Sequence, residues 1–332
     1  MTDSLHMKAL IVDTANGPLR LVSLERPVAG AGQVLVRIKA SGVNPLDLKI
    51  RAGQAAHARQ PLPAVLGLDL AGVIEAVGEG VQDWVPGDEV YALATGIGGA
   101  QGSLAEFAVV DARLLARKPL NLNQREAASL PLILITAWEG LVDRARVSAG
   151  QKVLIHGGAG GVGHVAVQLA RAFGADVYAT GSVRQRSIIE GYGATFIDYL
   201  ESSVEEYVAE FTAGEGFDIV YDTVGGETLD VSFKAARIYS GHVLSCLGWG
   251  QHSLAPLSFR GATYSGVFTL LPLLTGSGCE HHGEILRQAA ALIESGQLRP
   301  LLDPHRFTLE TAAKAHELLA TKAAQGRLVV EI

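Results

Sequence analysis

Val153-Leu154-Ile155-His156-Gly157-Gly158-Ala159-Gly160-Gly161-Val162-Gly163 reads as a buried strand, a glycine turn and the start of a helix. Gly158, Gly160 and Gly163 satisfy the GxGxxG pattern, in which free backbone N–H groups at a helix start receive a dinucleotide pyrophosphate. The pattern alone is weak, so its flanks decide the reading. Lys152-Val153-Leu154-Ile155 is strand-like, and Val165-Ala166-Val167-Gln168-Leu169-Ala170 continues an apolar helical period to Phe173. A glycine-rich surface loop lacks both flanks. The expected backbone contacts to a cofactor are therefore Gly158, Gly160, Gly161, Val162 and Gly163.

Working outward, strands and helices alternate from Lys152 onward, with strands expected at Lys152–His156, 177–180, 195–197, 218–221 and 242–247. That alternation specifies an α/β, doubly wound parallel sheet of the Rossmann type. Residues 7–117 differ. Their short alternating runs, at 8–12, 33–40, 71–78, 89–93 and 104–110, are separated by turns such as Pro86-Gly87-Asp88 and suggest a partly closed β-barrel. After Asn121 the period becomes helical, with Asn123 the expected cap of a helix over 124–129. A further helix is expected over 284–295. The closing run 326–332 is a strand expected to fold back onto the N-terminal domain, so the nucleotide domain, 126–267, is an insertion between 1–125 and 268–332.

The chain has 332 residues, 48% hydrophobic and 18% charged, which suits two globular domains. A net charge of −7 argues against a nucleic-acid partner. Two cysteines, Cys246 and Cys279, build neither a disulfide framework nor a four-cysteine zinc site, which fits a reducing cytoplasm. Residues 1–6 lack the basic and apolar regions of a signal peptide, and Met7-Lys8 resembles a native start behind a short extension. The apolar runs 130–138 and 267–274 contain proline and are too short to span a bilayer, so a soluble protein is expected.

An NAD site carries an Asp or Glu at the tip of the second strand, to accept hydrogen bonds from the ribose 2′-OH. Here that tip is Gly181-Ser182, and Asp176 lies at the strand's other end. Ser182, Arg184 and Arg186 beyond it suit a 2′-phosphate, so NADPH is expected over NADH. The alternative is that the two arginines are solvated surface charge. Further contacts follow from strand ends: Asp222, Thr223 and Val224 after the fourth strand, and Cys246, Leu247 and Gly248 after the fifth. Cys246 reads as a small buried residue rather than a nucleophile.

Six motifs in order resemble the zinc-independent quinone oxidoreductase branch of the medium-chain dehydrogenase/reductase superfamily, over nearly the whole chain. They are Ser41-Gly42-Val43-Asn44-Pro45-Leu46-Asp47, Gly67-Leu68-Asp69-Leu70-Ala71-Gly72-Val73, Gly87-Asp88-Glu89-Val90, Leu130-Pro131-Leu132 with Thr136-Ala137, the run from His156 to Gly163, and Asp222-Thr223-Val224-Gly225-Gly226. The resemblance implies a GroES-like substrate domain, a Rossmann domain and an active-site cleft between them. It also implies a homo-oligomer, a homodimer or a tetramer, formed along the edge at 241–271.

Where zinc-dependent relatives have a cysteine this chain has Asn44, and where they have Gly-His-Glu it has Gly67-Leu68-Asp69. The three protein ligands that a catalytic zinc needs are therefore not all present, and no metal is expected. Cys279-Glu280-His281-His282, the one metal-like cluster, lies between Gly278 and Gly283 and reads as a solvated loop.

Without a Lewis acid, a substrate that delocalises the incoming charge is favoured, such as a quinone or an α,β-unsaturated carbonyl. The leading expectation is an NADPH-dependent quinone oxidoreductase, the alternative a C=C reductase of alkenals and enones, and the further alternative a non-catalytic nucleotide-binding protein. Resemblance implies Asn44 and Lys49 at the substrate and Thr136 near the nicotinamide. It also implies Tyr199 near the adenosine phosphate, Phe268 at the nicotinamide and Arg327 at a phosphate. Many quinone oxidoreductases have tyrosine where this chain has Lys49, and a lysine there is similar to alkenal and enone reductases. Each residue keeps a plainer reading: Asn44 holds a turn, Lys49 is a solvated helix charge, and Thr136 bonds its own helix.

Overall fold

The structure, a computed structural model, describes residues 5–332; the extension reading of residues 1–4 lies outside the described residues. The chain forms two compact units. One runs to Leu132 and adds Leu270–Glu294 and Pro300–Ile332, and the other comprises Ile133–Thr269 with Ser295–Arg299.

In the first unit, β1 (His6–Val12) lies between β2 (Arg20–Glu25) and, past β3 (Gln33–Gly42) and α1 (Pro45–Arg51), β4 (Ala64–Val65). β3 is the spine of a larger sheet. One of its edges pairs with β5 (Asp69–Val77), which continues to β6 (Glu89–Leu93). Its other edge takes β7 (Phe107–Asp111) along its first half. β8 (Ala116–Arg117) closes on β6. Val34, Val36 and Ile38, at the strand period of two, pack into a core with Leu70, Ile74, Val90, Ala108 and Val110. Asn123 caps α2 (Gln124–Ala128) by accepting from the Glu126 amide at 2.9 Å, and α3 (Pro131–Trp138) leads onward.

The second unit is a six-stranded parallel sheet. In chain order its elements are β9 (Lys152–His156), α4 (Gly161–Ala172), β10 (Asp176–Gly181), α5 (Arg186–Gly191), β11 (Thr195–Asp198), α6 (Val204–Thr212), β12 (Ile219–Asp222), α7 (Glu227–Ala235), β13 (His242–Ser245), α8 (Ala255–Phe259) and β14 (Thr263–Gly266). Strand order is β11-β10-β9-β12-β13-β14, so the chain reverses direction across the sheet beside β9. Leu154, Val220 and Val243 from the central strands pack with Tyr207, Leu229 and Phe233 from the helices.

The chain then forms α9 (Leu271–Thr275), α10 (Cys279–Glu294), β15 (Phe307–Thr308), α11 (Ala312–Ala320) and β16 (Val329–Glu331). β16 pairs antiparallel with Ala40, Ser41 and Gly42 of β3, so the C-terminal strand does return to the N-terminal sheet.

One local expectation is corrected here. Residues 279–282 are the first turn of α10, with Cys279 and His282 buried, and not a solvated loop. Gly283 does not interrupt that helix, because a Cβ there would run into the Arg113 carbonyl; glycine is what lets α10 lie against the backbone between β7 and β8. Among the described residues no group of His, Cys, Asp or Glu is placed to hold a metal ion, and no helix is long and apolar enough to cross a membrane.

Candidate functional site

β9 ends at His156, and Gly157 turns the chain with φ +73°. The Gly160 amide donates back to the Gly157 carbonyl at 2.8 Å, and Gly160 then caps α4. A Cβ at Gly163 would collide with that same carbonyl, so helix and turn can approach only through glycine. Helix geometry leaves the amides of Gly161, Val162 and Gly163 without intrahelical acceptors, at the positive end of the α4 dipole. The result is a rigid cradle for an anion. Thr180 of β10 braces it: its hydroxyl accepts from the Gly157 amide at 3.1 Å and its carbonyl from the Gly158 amide at 2.9 Å. The same hydroxyl lies 3.3 Å from Nδ1 of His156. Burial pushes the His156 imidazole down to about 4, so it is neutral at pH 7.

At the tip of β10, Ser182 is half-buried and its amide donates to Gln185 Oε1 at 3.0 Å. The two arginines beyond have different occupations. Arg184 is exposed and, among the described residues, unpaired. Arg186 forms an ion pair with Glu190 at 3.5 Å and lies over the Phe196 ring at 4.5 Å. Among the described residues Arg184 is thus unengaged, whereas Arg186 already has two neighbours on its own unit. Tyr199 is exposed beyond β11 and its amide donates to the Gly181 carbonyl at 3.4 Å, so it stands beside the β10 tip.

Asp222, fully buried at the end of β12, shapes the next loop. Its Oδ1 accepts from the amides of Val224 and Gly225 at 3.0 and 2.8 Å, and its Oδ2 from the Ser245 hydroxyl at 2.7 Å. Thr223 ties that loop to β9 by donating to the His156 carbonyl at 2.7 Å. Val224 is half-exposed at the loop's crest. After β13, the Leu247 amide donates to Ser245 Oγ at 3.1 Å, and Gly248 follows. Burial pushes the Cys246 thiol up to about 12, which leaves no thiolate at neutral pH. Phe268 meets Trp249 edge-on, with ring centroids 6.1 Å apart. Buried Thr136 lies 3.5 Å from the Thr269 hydroxyl and takes the Tyr221 hydroxyl on its carbonyl at 2.7 Å. Neither Thr269 nor Tyr221 was singled out in the sequence. The Tyr221 ring also fills the space a side chain at Gly140 would need.

The first unit holds a second polar assembly, around the start of α1. Asn44, Asp47, Asp69 and Arg327 are all buried together. The Asn44 amide nitrogen Nδ2 donates to Asp69 at 2.9 Å, and its Oδ1 accepts from Arg327 at 2.7 Å. Asp47 accepts from the backbone amides of Asn44 and Gly67 at 2.7 and 3.1 Å. Asp69 accepts from the Leu132 amide at 2.8 Å and faces Arg327 at 3.5 Å. The Arg327 Nε donates to the Ser129 carbonyl at 2.9 Å. Burial raises Asp47 to about 7 and Asp69 to about 6, against the opposing pull of Arg327.

Two expectations change as a result. Asn44, expected at the substrate, has both polar atoms of its side chain engaged inside this cluster. Arg327, expected at a phosphate, is 6% exposed and serves as counterion to two buried carboxylates. Lys49 stands apart from the cluster. It is exposed on α1 and, among the described residues, its ammonium has no partner. It lies near enough to His57 that, with burial the larger cause, it holds that imidazole below its usual range. His57 was not singled out in the sequence.

A barrel-like unit with a Rossmann-type unit inserted before its closing strand, each carrying its own polar assembly, defines an alcohol dehydrogenase-type oxidoreductase. The alcohol dehydrogenase GroES-like domain family matches residues 30–120, and the zinc-binding dehydrogenase family matches residues 192–330. The NADPH-dependent alkenal/one oxidoreductase of Arabidopsis thaliana chloroplasts is 36% identical over 308 residues, covering 90% of this chain and 72% of that protein. The structure of an alcohol dehydrogenase superfamily protein from Novosphingobium aromaticivorans is 54% identical with a TM-score of 0.96, covering 98% of this chain and 99% of that one. The quinone oxidoreductase from Coxiella burnetii is 29% identical with a TM-score of 0.83, covering 98% and 99%. The chain belongs to the medium-chain dehydrogenase/reductase superfamily of NAD(P)H-dependent oxidoreductases.

Proposed function

We propose that the protein is an NADPH-dependent, zinc-independent reductase of the C=C bond of α,β-unsaturated carbonyl compounds. The observation that carries this reading is the unpaired Lys49 ammonium on α1, fixed to a buried cluster where zinc relatives keep ligands. The likeness to the Arabidopsis alkenal/one oxidoreductase supports it. This reverses the order expected from sequence, where quinones led. A quinone remains the second reading, supported by the likeness to the Coxiella enzyme.

The donor set at the zinc-equivalent positions does not suit a metal. Leu68 offers no donor atom, and Asn44 and Asp69 are bound to Arg327. The glycine cradle does suit a dinucleotide. Gly161, Val162 and Gly163 would hold its pyrophosphate, Ser182 and Arg184 its 2′-phosphate, and the loops at Asp222–Val224 and Cys246–Gly248 its nicotinamide half. When bound, the cofactor supplies a hydride. The chain's own residues then do the rest: Thr136 and Phe268 orient, and Lys49 donates a hydrogen bond to the carbonyl oxygen as enolate charge grows there. The cluster's part is to hold α1, so that Lys49 is presented from a rigid helix. A homo-oligomer belongs to the proposal as well, joined at the outer edge of β14, the last strand of its sheet.

Product analysis tests the reading. NADPH-driven conversion of an enone to the saturated ketone is expected, whereas turnover of quinones with no enone reduction would replace it with the second reading.

A further inference from the structure

The segment between Asp47 and Asp69 contains no acidic residue, although the chain as a whole is acidic; it carries Lys49, Arg51 and Arg59, with His57 between. These cations have different occupations. Arg51 donates to the Gly17 carbonyl at 2.9 Å, whereas Lys49 and Arg59 are exposed and, among the described residues, their charged groups have no partner. Arg59 also sits in a left-handed backbone conformation, φ +50°, at the end of a short 3-10 turn over Ala56–Ala58. A non-glycine residue held there is sustained by its surroundings. They are visible: the Gln60 side chain clamps the loop to the Gly99 amide and the Ala100 carbonyl at 2.8 and 3.0 Å, and the Gly98 amide holds the Ala58 carbonyl at 2.9 Å.

The loop presents Arg59 at the rim of a cavity of about 460 Å³ walled by Ile50, Ala55, Ala56 and Pro61. Ile50 follows Lys49 on α1, so one short helix carries both the proposed carbonyl donor and a wall of the cavity. A pocket with mostly apolar walls, lined also by Gln60 and by an exposed, unpaired arginine on a backbone held in place, suits a molecule with an aliphatic body and a terminal carboxylate, which Arg binds in a two-point contact.

We infer that this pocket selects enones whose chain ends in a carboxylate, with Arg59 as the specificity-determining residue that binds it. The inference rests on the enone reading above and names the substrate class within it. The test compares an alkyl vinyl ketone ending in a carboxylate with the methyl ester of the same molecule, so that the reacting group is identical and only the charge differs.

The wild type should favour the acid in kcat/KM by about five- to tenfold at low salt, through KM, with the preference shrinking as ionic strength rises. Arg59→Gln should bring the ratio near one, and Arg59→Lys should recover part of it. Equal use of acid and ester by the wild type overturns the inference and leaves the enone reading intact. Reduction of neither compound is a failure of that reading instead. A change in KM for NADPH in Arg59→Gln, with the acid-to-ester ratio unmoved, assigns Arg59 to the cofactor and also overturns the inference.

Discussion

Replacing Arg327 with methionine keeps an unbranched apolar stem and removes the cation from a cluster holding two carboxylates. Asp47 and Asp69 are 1% and 0% exposed, and Arg327 is the cation that acts on both. Its loss also strips donors from Asn44 Oδ1 and the Ser129 carbonyl. Removing one partner of a buried ion pair costs about 3–5 kcal/mol, which for a unit of this size lowers the melting temperature by roughly 10 °C.

The pH dependence has a definite sign. A carboxyl raised in the folded state favours folding below its unfolded value of 3.8, and that contribution is lost as pH rises through the folded value, about 6 for Asp69 and about 7 for Asp47. Without Arg327 both folded values rise further, so the loss deepens and extends above neutrality. Thermal or urea unfolding of wild type and Arg327→Met at about pH 5.5 and about pH 8 reads this directly. The expected result is a destabilisation clearly larger at the higher pH. A loss below about 1 kcal/mol, or an equal loss at both values, refutes the view that Arg327 neutralises a buried acidic pair.

Other substitutions separate the remaining parts. Arg184→Glu should raise the ratio of KM for NADPH to KM for NADH by about tenfold or more, since it sets a carboxylate against the 2′-phosphate; an unchanged ratio removes Arg184 from the site. Gly163→Ala should abolish NADPH binding in a fluorescence titration while far-UV circular dichroism stays close to wild type, because the added methyl meets the Gly157 carbonyl. Retained binding would mean that the cradle is softer than described. Lys49→Met should lower kcat on an enone by roughly 10- to 100-fold, with Lys49→Arg recovering part of it; a fall confined to KM would make Lys49 a binding residue alone.

The glycine turn and the alternation around it were legible because local rules govern them. β9 falls at Lys152–His156 as its apolar run implies, and Asn123 caps α2 as the Asn-x-x-Glu spacing implies. What stayed hidden depends on partners distant in the chain. Nothing near Asn44 announces that its side chain belongs to Arg327, 283 residues away. Arg184 and Arg186 look alike in sequence, and only the positions of Glu190 and Phe196 separate them. Gly278 and Gly283 made residues 279–282 look like a loop, because the backbone between β7 and β8 that makes Gly283 useful inside a helix lies more than 160 residues earlier. β14 was unread for a related reason: Thr263–Gly266 is a short, half-exposed edge strand with little apolar signal.

The central claim is that hydride reaches the carbon conjugated to a carbonyl, with Lys49 rather than a metal at the oxygen. Turnover of an enone with NADPH deuterated at nicotinamide C4, in protiated water, tests it most directly by the position of the label. The account expects a saturated ketone carrying deuterium at the β-carbon. An allylic alcohol with deuterium on the carbinol carbon would contradict it.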